Sequence, residues 1–140
     1  MVKLLIGHKG SGKTKSMVDL ANESLASKSG SIIFINKDKR LMYDLKYQIR
    51  NVCMQDYEHI TNCDEYIGFI YGIISSDHDI SMIFIDSILK HADFKLSDLP
   101  EFISRLKNIS KLYGPEFVVS VSADKEEMIG VDFTDVEILN

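Results

Sequence analysis

The octapeptide Gly7–Thr14, with the sequence GHKGSGKT, constrains the fold of this chain more than any other stretch. It fits the pattern G-x-x-x-x-G-K-[ST], which carries weight only where a strand precedes it and a helix follows it. Both conditions hold, because the apolar run Val2–Ile6 comes before the octapeptide and a helical pattern comes after it. The segment therefore predicts a strand, a tight glycine-rich loop and a helix in an α/β sheet.

A loop of this kind binds phosphate groups through its backbone. Glycines allow the chain to curl until its N–H groups point inward, and the following helix adds free N–H groups and the positive end of its dipole. In this pattern Lys13 reaches the β- and γ-phosphates and the Thr14 hydroxyl binds Mg²⁺. The alternative is an ordinary glycine-rich turn that opens a helix. The predicted nucleotide-binding residues are Gly7, His8, Lys9, Gly10, Ser11, Gly12, Lys13 and Thr14.

Length and composition limit the classes of protein that fit. A chain of 140 residues suits one domain, residues 1–140. Its net charge of −5 gives no general attraction to nucleic acid, so we do not expect nucleic acid as a partner. With two cysteines, no secretory signal and no apolar run of membrane-spanning length, we expect a reduced, cytoplasmic protein without a membrane span.

Apolar runs alternate with helical patterns along the chain. This alternation predicts an α/β fold with three α/β/α layers and a mostly parallel sheet, whose ligand lies at the carboxyl ends of the strands. The predicted strands are Val2–Ile6, Ser31–Asn36, Val52–Met54, Ser81–Asp86, Phe117–Ser122 and Asp135–Leu139. The predicted helices are Lys13–Lys28, Arg40–Arg50, one from Thr61 or Asn62 to Ile74, and one between Ser97 and Gly114.

Asp86 is the predicted second half of the site. It ends an apolar strand, as in the Walker B pattern, and Mg²⁺ takes oxygen ligands while keeping several waters. We therefore expect Thr14 to bind Mg²⁺ directly and Asp86 to bind it through water. Lys13 and Asp86 are the predicted catalytic residues. The alternative for Asp86 is an aspartate that caps a helix.

With these two segments the chain resembles the P-loop NTPases, most specifically at Gly7–Thr14 and moderately at Met82–Asp86. The long interval between them is similar to that of the RecA-like branch, in which another strand lies between the P-loop strand and the Walker B strand. The resemblance implies that Phe117–Ser122 is this inserted strand. It also implies that Ser120 or Ser122 lies beside the γ-phosphate.

One residue departs from the hydrolytic members of that branch, which usually carry a glutamate directly after the Walker B aspartate. Here that position is Ser87, a poor general base at neutral pH. Asp56, Glu58 or Asp124 could take its place, and the sequence does not choose among them.

The layout is also somewhat similar to type II thymidine kinases, with the polar turn Asp38–Arg40 after the second strand, although their four-cysteine zinc ribbon is missing. It is similar as well to small bacterial P-loop proteins, for which the resemblance implies only ATP binding. ATP is favoured over GTP, because the stretch Asn36–Lys39 has lysine where a guanine-specific N-K-x-D motif has aspartate.

Three functions follow from these patterns. The first is an ATP·Mg²⁺-binding ATPase or nucleotide switch, slow or activated by a protein partner or by a second copy of the chain. The second is a small-molecule kinase of the nucleoside type, and the third is an ATP-binding scaffold without turnover. Arg40, at the ligand side of the sheet, could contact phosphate or a neighbouring subunit, or lie in solvent. His8 is predicted to face solvent, and His78 and His91 are predicted to lie in surface loops.

Overall fold

Six strands and three α-helices make up the fold in a computed structural model that describes all residues from Met1 to Asn140. The strands are β1 Val2–Ile6, β2 Ser31–Asn36, β3 Arg50–Cys53, β4 Ile80–Ile85, β5 Glu116–Val121 and β6 Val136–Ile138. The helices are α1 Lys13–Ser24, α2 Cys63–Ser76 and α3 Leu99–Tyr113. No helix combines the length and the apolar character that a bilayer crossing requires.

All six strands join one parallel sheet in the order β3-β2-β4-β5-β1-β6. Strand β5 therefore lies between β4 and β1. Ile85 is level with Val119 of β5, and Val121 of β5 is level with Ile6. The residues that follow β1, β4 and β5 consequently meet at one edge of the sheet.

Helices cover both faces of the sheet. Helices α2 and α3 pack on one face over a cluster of 23 buried apolar residues, and α1 packs on the other over a cluster of 11. Strands buried on both faces need apolar residues throughout, and the central residues Ile32–Asn36 of β2 are each at most 2% exposed. The predicted α/β class and parallel sheet are confirmed, and the sheet is parallel at every pair rather than at most of them.

The segment predicted as a helix over Arg40–Arg50 is instead a series of turns, and Arg50 already belongs to β3. Its apolar stripe is real, because Leu45 and Ile49 are buried against the α1 face. Two of its backbone groups bond to α1: the Asn22 amide donates to the Asp44 carbonyl at 3.0 Å, and the Asn22 side-chain oxygen accepts from the Lys46 N–H at 2.9 Å. Helical periodicity here reflected burial in a series of turns, with one helix-type hydrogen bond, from the Leu45 N–H to the Leu41 carbonyl at 3.3 Å, and no continuous helix.

Helix α1 ends at Ser24, four residues before its predicted end at Lys28. The Ser24 hydroxyl donates back to the Leu20 carbonyl at 2.7 Å, a local bond that competes with helix propagation. Gly30 lies beyond the end of α1 and does not terminate that helix. It lies against the Asp79 carbonyl, where a Cβ would overlap backbone, and its N–H donates to the Ser81 hydroxyl at 2.9 Å.

Helix boundaries elsewhere follow their sequence signals. Asn62 caps α2 by accepting from the Glu65 N–H at 2.9 Å, and the Glu65 carboxylate accepts in turn from the Thr61 N–H at 2.8 Å. Pro100 lies in the first turn of α3, and Gly114 ends that helix with φ 100°.

Candidate functional site

A tight glycine loop (Gly7–Gly12) joins β1 to α1. Gly7, Gly10 and Gly12 have φ values of 141°, 86° and 82°, a backbone region that residues other than glycine rarely adopt. Gly12 is the N-cap of α1, so the unpaired N–H groups of the first helical turn begin where the loop ends. The three glycines are therefore required by the path of the chain.

Lys13 closes the glycine loop from inside. Its side chain is buried, and its ammonium donates to the carbonyls of Gly7 at 2.7 Å and His8 at 2.8 Å and to the Ser11 hydroxyl at 3.2 Å. Burial lowers the pKa of Lys13, with the Asp86 carboxylate opposing the shift and the Lys90 charge adding to it. The first residue of α1 thus places a cation at the centre of the loop.

Asp86 lies directly beside the start of α1. It is 4% exposed, and its carboxylate accepts from the Thr14 hydroxyl at 3.1 Å and from the Ser120 hydroxyl at 2.9 Å. Its carboxylate accepts from side-chain hydroxyls and from no backbone N–H of a helix, so the helix-capping interpretation is wrong. Strands β4 and β5 and helix α1 therefore place two oxygen-bearing side chains, 72 residues apart in sequence, in contact.

A cavity of about 310 Å³ opens next to the glycine loop, and we call it the lysine cavity. Its lining contains four lysines and neither a carboxylate nor an apolar side chain. Only Lys15 has a carboxylate partner, Asp19 at 2.7 Å. Uncompensated ammonium groups around a concave surface focus a positive potential that suits a multiply charged anion. The lining residues are Lys9, Gly10, Gly12, Lys13, Thr14, Lys15, Ser87, Lys90 and Ser122.

The structure places the two serines that the sequence offered as alternatives in different surroundings. Ser122 lines the lysine cavity, whereas Ser120 is fully buried and bonded to Asp86, so Ser120 supports the carboxylate from behind. Lys90 was not predicted at all. The only signal for it in the sequence is its place four residues after Asp86, on the loop that leaves β4.

The structure brings one of the three candidate bases to the glycine loop. The Asp124 carboxylate accepts from His8 Nε2 at 2.7 Å, and His8 is otherwise exposed, as predicted. Asp56 pairs instead with Lys39 at 3.7 Å, and Glu58 lines a different cavity. Asp124 is therefore the carboxylate that this fold positions beside the loop.

Arg40 contacts its own turn rather than the loop. Its Nε donates to Asp38 at 2.9 Å, and its side chain is 71% exposed, so the solvent-facing alternative holds for it.

His91 is buried rather than in a surface loop. It is 1% exposed, and its Nδ1 is 3.0 Å from the hydroxyl of the buried Tyr66. Burial lowers the pKa of His91 to about 4, while the Asp86 backbone carbonyl exerts a smaller opposite effect. Its burial could not be read from the sequence, because nothing local marks it.

His91 lines a second cavity of about 260 Å³, the His91 cavity, which lies at the carboxyl ends of β2, β3 and β4. Lys90 lines this cavity as well as the lysine cavity, so the two are neighbours. The other lining residues are Lys37, Met54, Gln55, Tyr57, Glu58, Ile60, Thr61, Ala92 and Asp93.

Comparison of the chain with models of protein families and with curated proteins found no match.

Proposed function

We propose that this chain is a P-loop nucleotide-binding protein with the three-layer fold of that class, and that it binds ATP·Mg²⁺ in the lysine cavity. One observation carries the proposal: a glycine loop and a helix N-terminus border a cavity lined by Lys9, Lys13, Lys15 and Lys90 without a carboxylate. Backbone N–H groups at a helix start, combined with several ammonium groups, recognise phosphate oxygens.

The roles of the side chains follow from their positions. Lys13 would exchange its carbonyl partners for β- and γ-phosphate oxygens, which gain a buried cation at the point of greatest charge. Thr14 and Asp86, whose oxygens are 3.1 Å apart, are close enough to share one coordination shell. Oxygen donors of this kind suit Mg²⁺, with Thr14 as a direct ligand and Asp86 acting through water.

Slow or activated turnover fits this site better than rapid hydrolysis. Ser87, directly after Asp86, offers no carboxylate, and the nearest candidate base, Asp124, is occupied by His8. An ATPase or nucleotide switch whose turnover depends on a protein partner or on a second copy is consistent with this arrangement. A small-molecule kinase is the second candidate, favoured by the His91 cavity that adjoins the lysine cavity through Lys90.

Titration with a fluorescent ATP analogue, with and without Mg²⁺, tests the binding proposal. Lys13→Ala should weaken the affinity by about tenfold to a hundredfold, because a charge-assisted contact is lost. Lys111→Ala is the control, since this exposed lysine lies on α3 outside the lysine cavity. If Lys13→Ala bound the analogue as tightly as the parent, the proposal would be withdrawn.

Turnover separates the functions that share this binding site. Hydrolysis that rises steeply with protein concentration would support an ATPase activated by self-association. Phosphate transfer to an added nucleoside, with little release to water, would support the kinase. Binding with neither activity would leave a scaffold stabilised by its nucleotide.

A further inference from the structure

We propose that the His91 cavity is a second ligand site, which binds a small organic anion carrying hydroxyl or amino groups, and that Lys90 couples this site to the lysine cavity. Binding in the His91 cavity stands on its own residues. The coupling through Lys90 rests on the proposed nucleotide site.

The first observation is a buried polar atom without a partner. His91 is 1% exposed, and its Nε2 has no hydrogen-bond partner; the Asp86 backbone carbonyl lies close enough to the ring to raise its pKa but forms no hydrogen bond with Nε2. The Tyr66 hydroxyl lies 3.0 Å from His91 Nδ1, and when its O–H donates to Nδ1 the proton of the neutral ring lies on Nε2. A buried N–H donor without an acceptor costs about 1–3 kcal/mol, and a ligand oxygen that reached Nε2 would remove that cost.

The second observation is the charge around the cavity. Lys37 and Lys90 both line it, and neither forms an ion pair within the protein. Together with His91 they supply three donors for an acceptor-rich, anionic group. Glu58 and Asp93 also line the cavity and are exposed, which favours an anion that carries hydroxyl or amino groups as well.

The size and the backbone of the cavity agree with a small ligand. A volume of about 260 Å³ is just below the range of roughly 300–1,000 Å³ that holds drug-sized molecules, which agrees with a small ligand. The loop Ser87–Asp93, which separates the two cavities, holds three of the four non-glycine residues with positive φ. Non-glycine residues with positive φ cost free energy, and such residues are concentrated at functional sites.

Amide NMR spectra of the full chain test the proposal, with 3-phosphoglycerate, L-malate and L-phosphoserine as probes. At least one probe should shift the signals of residues 54–61 and 90–93 and the ring ¹⁵N signals of His91. Shifts confined to residues 9–15, or none with any of the three probes, would overturn the proposal, because its donors would then recognise no anion of this class.

Three lysine variants assign the contacts. Lys37→Ala should weaken probe binding by about tenfold and leave ADP binding unchanged, and Lys9→Ala should do the reverse. Lys90→Ala should weaken both, and a Lys90→Ala variant that affected ADP alone would refute the coupling. If the parent chain bound a probe but did not bind ADP, the nucleotide site would be refuted and the His91 site would stand.

Discussion

Ser120 holds Asp86 in place: its hydroxyl donates to the carboxylate at 2.9 Å from near the carboxyl end of β5, where the serine is fully buried. The same hydroxyl oxygen accepts from the Ser87 N–H at 2.6 Å, so it also fixes the first residue of the loop after β4. The orientation of the carboxylate toward Thr14 is therefore set by the neighbouring strand before any ligand binds.

Ser120→Ala should reduce the Mg²⁺-dependent part of ATP binding. Without the hydroxyl, the Asp86 carboxylate and the Ser87 N–H each lose a partner, and the carboxylate is free to turn away from Thr14. We expect the affinity for Mg·ATP to fall by about tenfold, while the affinity measured in excess EDTA stays within about twofold. Ser75→Ala, on the exposed part of α2, is the control, and an unchanged Mg²⁺ dependence would contradict the role given to Ser120.

Asp124→Asn should slow any ATP hydrolysis without weakening ATP binding. The Asp124 carboxylate lies 2.7 Å from Nε2 of His8, a residue of the glycine loop. An asparagine amide in its place cannot accept a proton from water. General bases contribute about a hundredfold or more to such reactions, so a loss of that size is expected in the single-turnover rate. Asp56→Asn, paired with Lys39, is the matched control, and equal rates in the two variants would rule out Asp124 as the base.

The buried His91 should make the fold less stable in mild acid. Its pKa is lowered from 6.5 to about 4, so as the pH falls below 6.5 the unfolded chain binds a proton that the folded chain does not. The free energy of unfolding should therefore fall by up to about 2.5 kcal/mol between about pH 7.5 and pH 4.5.

Urea unfolding of the parent and of His91→Gln at both pH values isolates this contribution, because the variant cannot titrate there. The stability of His91→Gln should depend less on pH by the same amount. His78→Gln, at an exposed histidine, should behave as the parent does. Equal pH dependence in the parent and His91→Gln would show that the imidazole is protonated in the folded chain.

Substitution by alanine should change the stability of the fold in opposite directions at two glycines. At Gly30 a Cβ would overlap the Asp79 carbonyl and the Ser81 hydroxyl, so Gly30→Ala should destabilise the fold by about 1–3 kcal/mol. At Gly72, inside α2, a Cβ meets open space, so Gly72→Ala should stabilise it by about 0.5–1 kcal/mol. Thermal unfolding measures both, and a neutral Gly30→Ala would mean that the β2 and β4 starts separate easily.

The strands and the glycine loop could be predicted because their signals are local. Strands covered on both faces show as unbroken apolar runs, and the loop requires glycine wherever φ is positive. The contact between Thr14 and Asp86 followed from parallel topology, since both come after strands whose carboxyl ends meet. The position of β5 between β4 and β1 was implied by the resemblance to the RecA-like branch, which the spacing of the two motifs suggested.

The missed features depend on contacts between distant segments. The turns between β2 and β3 look helical in sequence because Leu45 and Ile49 bury at helical spacing, while Asn22 of α1 bonds to two of their backbone groups. Lys90 and His91 carry no motif, and their positions depend on the path of the loop after β4. Periodicity reports which residues are buried, and it does not report which group accepts a hydrogen bond from a segment far away.

Strand β1 has no neighbour from its own half of the chain: it pairs with β5, residues 116–121, and with β6, residues 136–138. During synthesis on the ribosome, the whole segment 7–115 must emerge before this strand gains a partner, and until then its apolar edges are open to chaperones or to misassembly. The glycine loop, encoded first, is thus among the last parts to take shape. A ligand that needed the assembled loop would therefore bind only the finished chain.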